Sequence, residues 1–400
     1  MAQRWPRSSN CSIGLHEGNP GSVESSCAEA SHRRGIGSGL WPVQRHNRWL
    51  DSYGKTRMLK NEIGALTVCI VEDGDGGHRR EYTDLFVSAL PLVSTRVKTT
   101  AIANPSFGDC DCVLIPMIEG SYGLLLRALA QTVFGHRRTV ALLFRPREAI
   151  ERKTARHTMK HWFLRIVSRL PRTKILTILP FSVDPRMSMV ASGWIYDPQM
   201  WDLSVIERPQ SGETSLTSDI RDRAAGRHII LALGTQNYEK GFDFLSRVWC
   251  GSEAIRSRYL FVVGGKTSIG SGEAAAKFRA AGGHLIDRYI EPFEFFALYE
   301  LANAVWSCYS PAYDQASGIF GRAFQLGVPT IVREGSYLAA LSRSIRHCSI
   351  ELPFEDFRTA AQILLERELP VQRQTSTVDD IREVSLRTLK SAFAGQPLST

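Results

Sequence analysis

The chain has 400 residues, 43% of them hydrophobic, and a formal net charge of +9. This content is ample for packed cores in two or three domains, and the basic balance favours anionic partners. No apolar run approaches the about 18 residues of a membrane-spanning helix, and the N-terminus lacks the apolar core of a secretory signal, so we expect a cytoplasmic protein.

Residues 1–57 are rich in Ser, Gly, Arg and His and show no sustained hydrophobic period, which predicts a disordered leader. The first predicted domain, residues 58–210, has buried-strand runs at 65–71, 111–117, 139–144 and 174–180. A glycine-rich loop with Gly77 and His78 follows the first run and precedes a helix at 79–90. This loop has neither the Lys-Ser/Thr of a P-loop nor the third glycine of a dinucleotide fingerprint.

Ligands of parallel α/β sheets lie beyond the carboxyl ends of the strands. Glu119 and Arg145 directly follow the second and third predicted strands, so we expect both to face a cleft. His78 has two interpretations, a base or phosphate neighbour in the cleft and an ordinary residue at a helix start.

The stretch between Arg137 and Lys174 has twelve Lys or Arg against two Glu, a local balance of +10. A helical stripe of apolar residues runs through it, namely Ala155, Met159, Trp162, Phe163, Ile166, Val167 and Leu170. One interpretation is a packed helix with a solvated basic face. The other is a patch that rests on anionic lipid, with Trp162 at the interface, and makes the protein peripheral at the inner face of a membrane. Nucleic acid is not expected, because no recognised binding motif accompanies the charge.

Residues 211–226 are polar and glycine-punctuated and predict a linker to a second domain at 227–370. In that domain, strand runs at 228–234, 304–308 and 330–332 alternate with helices. Ser317 and Gly318 open one of these helices, so the amides of Ser317, Gly318 and Ile319 could face a bound anion. Residues 371–400 hold a final helix, with a capping-box pattern at Thr377 and Asp380.

The eight cysteines are dispersed along the chain, which predicts reduced, buried thiols rather than a disulfide framework. Cys110 and Cys112 are alternate residues of a strand and would point to opposite faces, so a shared metal ion is not expected. Asp73 and Asp75 lie in a stretch too rich in glycine for a convincing magnesium site. We therefore predict no metal and no cofactor.

Four ordered segments between residues 234 and 332 resemble the donor-binding domain of glycosyltransferase family 4. They are GTQNYEKG from Gly234, FVVGGK from Phe261, ANAVWSCYSP from Ala302 and GRAFQLGVP from Gly321. The resemblance implies an α/β fold of the GT-B type, in which two Rossmann-like domains with parallel sheets face each other across a cleft. It also implies a retaining glycosyltransferase that uses a nucleotide-diphosphate sugar, and a C-terminal helix that crosses back to the first domain.

Together with the helix-start argument, the resemblance leads us to predict donor binding at Gly77, Gly234, Thr235, Lys240, Gly265, Ser317, Gly318, Ile319 and Arg322, and catalysis at His78, Lys240 and Asp314. Two positions depart from the family pattern. Thr235 replaces an arginine that faces the diphosphate, and Arg322 replaces a glutamate that would accept hydrogen bonds from ribose. Either Arg322 restores the lost positive charge beside a phosphate, or it is a structural helix arginine.

Transfer of a sugar leaves negative charge on the departing diphosphate while the anomeric carbon becomes cationic. The negative charge on the diphosphate would be stabilised by Lys240 and by the amides of Ser317, Gly318 and Ile319. On the first interpretation, Arg322 would stabilise it as well. Asp314 would bind sugar hydroxyls or steady the cation, or else is a solvated loop acid. Glu119 and Arg145 would line the side of the acceptor, a glycan or lipid-linked molecule of the kind used in polysaccharide synthesis. A nucleotide-sugar epimerase and a non-catalytic binding subunit of the same fold remain alternatives.

Overall fold

The structure, a computed structural model, describes residues 66–72, 78–93, 95–101, 108, 110–208, 212–369 and 377–398. The predicted leader, Gly77 and the side chain of His78 lie outside these residues. We call residues 66–208 the first half and residues 212–369 the second half.

None of the helices in the described ranges is long and apolar enough to cross a bilayer.

The first half contains one parallel six-stranded sheet in the order β2-β1-β3-β4-β5-β6. Its strands are β1 Leu66–Glu72, β2 Thr95–Ala101, β3 Cys112–Ile115, β4 Arg138–Leu143, β5 Thr173–Thr177 and β6 Gly193–Trp194. Its helices are α1 His78–Ala89, α2 Tyr122–Phe134, α3 Pro146–Glu151 and α4 Ala155–Val167. From β1 the chain moves outward to β2, and from β3 onward it moves in the opposite direction across the sheet. Because connections between parallel strands are right-handed, α1 lies on one face of the sheet and α2 to α4 lie on the other.

The second half repeats this plan with a second parallel sheet in the order β12-β11-β10-β7-β8-β9. Its strands are β7 His228–Leu233, β8 Tyr259–Gly264, β9 His284–Ile286, β10 Ala304–Ser307, β11 Thr330–Arg333 and β12 Ser349–Leu352. Its helices are α5 Ser215–Ala224, α6 Phe242–Cys250, α7 Glu253–Arg258, α8 Gly272–Ala280, α9 Pro292–Leu301, α10 Gly318–Gln325, α11 Tyr337–Ser344 and α12 Phe357–Glu366. The prediction of two Rossmann-like parallel sheets is confirmed.

The central strands are continuous apolar runs because helices cover both faces of each sheet. All six residues of β8 are buried, as are all four of β3 and of β10. This explains why the strand runs could be read from hydrophobicity alone.

The halves share a packed seam. The apolar core of the first half continues into Phe320 and Phe324 of α10 and Leu338 of α11. Residues that follow β4 and β10 also meet across this seam, where Arg147 pairs with Asp314.

Two segments differ from the sequence prediction. The predicted linker contains helix α5, which begins at a capping box between Thr214 and Thr217 and buries Ile220. The final helix α13, Val378–Ala394, begins beside Thr377 as predicted, but the Thr377 side chain makes no cap hydrogen bond. Helix α13 packs on the first sheet, where the Arg138 side chain donates to the Phe393 carbonyl at 3.1 Å. The domain boundaries themselves stay predictions.

Candidate functional site

The strand order of the second sheet locates a ligand site. Read from β9, the order is 3-2-1-4-5-6, and the chain leaves the neighbouring strands β7 and β10 in opposite directions. Ligands of such sheets bind in the crevice that opens at this switch point. The loops after β7 and β10 are the ones in which the sequence predicted Gly234 to Lys240 and Asp314 to Ile319.

Glycines bring the loop after β7 close to the neighbouring turn. Gly265 has φ +128°, and a Cβ added there would collide with the Gly234 carbonyl oxygen, so Gly265 has to be glycine. The buried Gln236 side chain donates to the same carbonyl at 2.7 Å, which holds the loop in place. Thr235 is exposed at the loop surface. The predicted pair Gly234 and Gly265 is thus brought together.

The loops after β7 and β10 are bonded to each other. The Ser310 amide donates to the Glu239 carbonyl at 3.0 Å. At Gly241, φ is +74° and an added Cβ would collide with the Cys308 carbonyl oxygen. Since neither loop can move without the other, Lys240 is held against the loop that follows β10.

The Lys240 ammonium lies between two aromatic rings. Its Nζ is 4.5 Å from the ring centroid of Tyr309 and 4.1 Å from that of Tyr313. Burial opposes the charge, but Tyr309 and Tyr313 outweigh it, so the pKa of Lys240 is raised above its ordinary value. The side chain is therefore a positioned cation at neutral pH.

Tyr309 also connects Lys240 to the start of α10. Its hydroxyl lies 2.8 Å from Ser317 Oγ, and Ser317 caps the helix by accepting from the Phe320 amide. The amides of Gly318 and Ile319, in the first turn, donate to no acceptor within the described residues. Lys240 and the helix N-terminus therefore flank one tyrosine, a combination that suits an anion.

Asp314 joins a charged cluster that spans the seam. It accepts from Arg147 of the first half at 2.6 Å and from the Tyr337 amide at 2.7 Å, and it forms an ion pair with Arg333 at 3.1 Å. Arg333 also donates to the Tyr309 carbonyl at 3.1 Å. Asp314 is thus a largely buried, paired carboxylate one tyrosine away from Lys240.

Arg322 points to the seam between the halves. Its guanidinium pairs with Asp202 of the first half, and the two side chains are only 14% and 11% exposed. Gln325 donates to the same carboxylate at 2.7 Å. Beside them, the Gln199 side chain occupies the space that a Cβ on Gly318 would need. The structure therefore gives Arg322 a partner across the seam, the Asp202 carboxylate.

Glu119 and Arg145 meet at the carboxyl ends of β3 and β4. Glu119 Oε1 accepts from the Arg145 amide at 2.6 Å, and its buried Oε2 has no hydrogen-bond partner among the described residues. Burial raises the pKa of this carboxyl, and the Arg145 amide offsets the effect only in part. The Tyr122 hydroxyl is likewise buried without a described partner. His78 begins α1, at the neighbouring strand end.

Sequence reasoning missed Tyr309, Tyr313 and Arg333. The two tyrosines lie four residues apart, and their aromatic character was the available signal. Arg333 directly follows a predicted strand, so the carboxyl-end rule used for Glu119 would have found it.

A cavity of about 280 Å³ lies elsewhere, between Tyr196, Arg346 and the start of α13. It touches none of the predicted site residues. No group of three or more His, Cys, Asp or Glu side chains in the described ranges is arranged to hold a metal ion.

Neither the models of known protein families nor the sequences of curated proteins match this chain. Solved structures do match its fold. HepE from Anabaena, solved with UDP and glucose, has a TM-score of 0.52 and 12% identity over 82% of this chain and all of its own. A Listeria monocytogenes protein assigned as a UDP-N-acetylglucosamine 2-epimerase has a TM-score of 0.52 and 12% identity over 84% of this chain and all of its own. A glycosyltransferase from Rickettsia africae has a TM-score of 0.51 and 10% identity over 84% of this chain and 95% of its own. At these identities the likeness concerns the fold, and the chain has the two-sheet GT-B fold.

Proposed function

We propose that this chain is a glycosyltransferase that transfers a sugar from a nucleotide-diphosphate sugar to a glycan or lipid-linked acceptor. The observation that carries the proposal is the Lys240 ammonium, held between Tyr309 and Tyr313, with Tyr309 hydrogen-bonded to the capping serine of α10. These donors lie at the switch point of the second sheet, where a GT-B fold offers a crevice.

The donors suit the charge that develops during transfer. As the bond between the anomeric carbon and the diphosphate breaks, negative charge grows on the departing phosphate oxygens. A fixed ammonium and fixed amides stabilise that charge without having to reorganise, which contributes several kcal/mol to lowering the barrier. In this proposal Lys240, Gly318 and Ile319 bind the diphosphate directly, so the reaction needs no metal ion.

Asp314 and Glu119 take different roles. The charge of Asp314 is already compensated by Arg147 and Arg333. This suits a residue that orients the loop of Tyr309 and accepts a hydrogen bond from a sugar hydroxyl. Glu119, with one oxygen free of described partners, suits an acceptor hydroxyl on the opposite side of the crevice. His78 and Arg145 remain candidates on that side. The Arg322 ion pair with Asp202 favours a structural role for Arg322 over a phosphate contact.

Retention of anomeric configuration and membership of glycosyltransferase family 4 rest on the sequence resemblance between residues 234 and 332. The similar solved structures include one named as a glycosyltransferase and one named for epimerisation. HepE, which was solved with UDP and glucose, makes UDP-glucose a reasonable first donor to test.

Binding of UDP tests the diphosphate site directly. We expect Lys240→Met to weaken UDP binding about tenfold to hundredfold, because a charge-assisted contact is lost while the apolar stem between the two tyrosines is kept. Lys277→Met is the matched control, since Lys277 is an exposed lysine on α8 paired with Glu273. Calorimetry on both variants measures the difference. Equal UDP affinity in Lys240→Met and the wild type, with both folded, would remove the proposed site.

Product analysis then separates the possible activities. With a panel of nucleotide sugars and glycan acceptors, a transferase releases the nucleoside diphosphate only when an acceptor is present. An epimerase changes the sugar without acceptor, and a non-catalytic subunit binds donor but changes neither. The absence of nucleotide release with every acceptor, together with intact UDP binding, would favour the binding subunit.

A further inference from the structure

Two neighbouring helices of the first half present large apolar side chains to solvent. We call this surface the outer face and define it by six residues, Leu126, Val133 and Phe134 of α2 and Met159, Trp162 and Ile166 of α4. Each of them is at least 53% exposed, and Phe134 is 90% exposed. Exposed apolar residues of this size normally occur singly, so a group of six marks an interaction surface.

Helices α2 and α4 lie on the same face of the first sheet and are tied together at two places. The Tyr122 ring, at the start of α2, lies 5.9 Å from and edge-on to the Phe163 ring in the second half of α4. Beyond the ends of both helices, the Arg172 side chain donates to the Gly135 carbonyl at 2.8 Å. Both helices cover the same face of the sheet, so their exposed sides point the same way.

The orientation of α4 leaves its part of this surface outside the core. His161, Leu164 and Val167 face the core. Met159, Trp162 and Ile166 follow at i, i+3 and i+7 on the opposite side, where a helix of a soluble domain usually carries polar residues. The apolar stripe predicted from the sequence is therefore divided, and half of it faces outward.

Positive charge surrounds these side chains. Arg156 and Arg169 are exposed on either side of the stripe, and the Arg165 guanidinium lies 5.6 Å above the Trp162 ring. The only two acids between residues 137 and 174 are Glu148 and Glu151, and both are paired with lysines, at 2.9 Å and 2.6 Å. The surface thus combines an apolar centre with an unopposed cationic border.

We infer that the outer face docks on an anionic lipid bilayer. Tryptophan, aliphatic side chains and arginine are the residues that helices use at the interface of charged membranes, where the apolar atoms enter the acyl boundary and the cations meet phosphates. A second copy of the chain would bring the same positive charge to the interface. Nucleic acid would meet Leu, Val, Met and Ile, which offer no stacking plane for a base. This inference does not depend on the proposed sugar transfer.

Vesicle binding of the full chain tests the inference. We expect binding to vesicles of phosphatidylcholine with phosphatidylglycerol, little binding to phosphatidylcholine alone, and loss of binding at about 0.5 M salt. The variant Met159→Ser/Trp162→Ser/Ile166→Ser should bind about tenfold or more weakly. Its control is Ile269→Ser, which changes a fully exposed isoleucine of the second half.

A charge variant separates electrostatic from apolar contributions. Arg156→Gln/Arg169→Gln should lower partitioning about tenfold to thirtyfold, because each cation near such a surface adds a similar increment. Arg358→Gln, an exposed arginine of α12, serves as its control. Because residues 1–57 contain cations of their own, the difference between variants decides the question, not binding of the wild type.

Several results would overturn the inference. They are equal partitioning of the wild type and the triple variant, equal binding to neutral and anionic vesicles, and a change of oligomeric state in the triple variant without any vesicle binding. Unchanged urea unfolding and UDP affinity in the triple variant ensure that a loss of vesicle binding is not a loss of fold or of the donor site.

Discussion

At the scale of single residues, His347 supports the helix that contributes its N-terminus to the candidate site. Its ring lies edge-on to Phe320 and Phe324 of α10, at 5.4 Å and 5.6 Å. Nε2 is buried with no hydrogen-bond partner among the described residues. Burial lowers the pKa of His347 to about 4, so the ring is neutral in the folded protein at pH 7.

This burial makes α10 sensitive to acid. Between about pH 6.5 and about pH 4 the unfolded chain binds a proton at this histidine and the folded chain does not, so acidification lowers the free energy of unfolding, by roughly 3 kcal/mol in total. We expect His347→Leu to be less acid-sensitive over that range by a similar amount. Urea unfolding at about pH 7 and about pH 4 measures it.

The exposed histidine His136 provides the control, since His136→Leu should retain the acid sensitivity of the wild type. A His347→Leu variant that loses stability with acid as steeply as the wild type would contradict the assignment.

At the scale of elements, α10 depends on its glycines to approach the first half. A Cβ on Gly321 would lie 2.5 Å from the Gln199 carbonyl oxygen and 3.2 Å from the Met200 amide nitrogen. Both are backbone atoms of the short 3₁₀ segment Pro198–Met200. They cannot make room by changing a rotamer, as a side chain could. The seam at α10 is therefore a contact between helix and backbone.

The effect of alanine on helix stability should reverse at this position. Alanine is ordinarily preferred over glycine in helices, yet we expect Gly321→Ala to lower the free energy of unfolding by about 1–3 kcal/mol through overpacking. Gly123→Ala in α2, where nothing lies within 4 Å of the added Cβ, should instead raise it by about 0.5 kcal/mol. Urea unfolding of both variants measures the difference, and equal stability would show that the seam can open at no cost.

At the scale of the whole molecule, ion pairs join the two halves. Arg322 pairs with Asp202, and Arg147 pairs with Asp314. In each pair, one residue belongs to the first half and the other to the second half, and the side chains are largely buried. A buried ion pair adds little net stability, but removing one partner leaves an uncompensated charge.

Arg322 can therefore be assigned by comparing stability with ligand affinity. We expect Arg322→Met to lower the free energy of unfolding by about 3 kcal/mol and Arg322→Met/Asp202→Asn to lower it by less, because the second change removes the stranded charge. UDP affinity of the folded variant should stay within about twofold of the wild type. A stable Arg322→Met protein that has lost UDP binding would instead support the phosphate interpretation.

Much of the fold could be read from the sequence because the central strands are buried on both faces. Runs such as residues 229–233 and 304–306 are apolar throughout, and the glycines and capping serine that follow them mark the adjoining loops and helix. Lys240 was predicted from the family resemblance, and Ser317 from its position at the start of a helix. Helix α5 was missed because its Thr214 capping box lies in a polar, glycine-punctuated segment.

The sequence by itself therefore determined the two parallel sheets and the loops that follow their strands. Only the tertiary structure decided which charges pair across the seam, because Arg322 and Asp202 are 120 residues apart and nothing local couples them. It also decided which side of α4 meets the core. A helical period fixes the face that Trp162 shares with Met159 and Ile166, but the rotation of that face toward sheet or solvent depends on packing against α2 and β5.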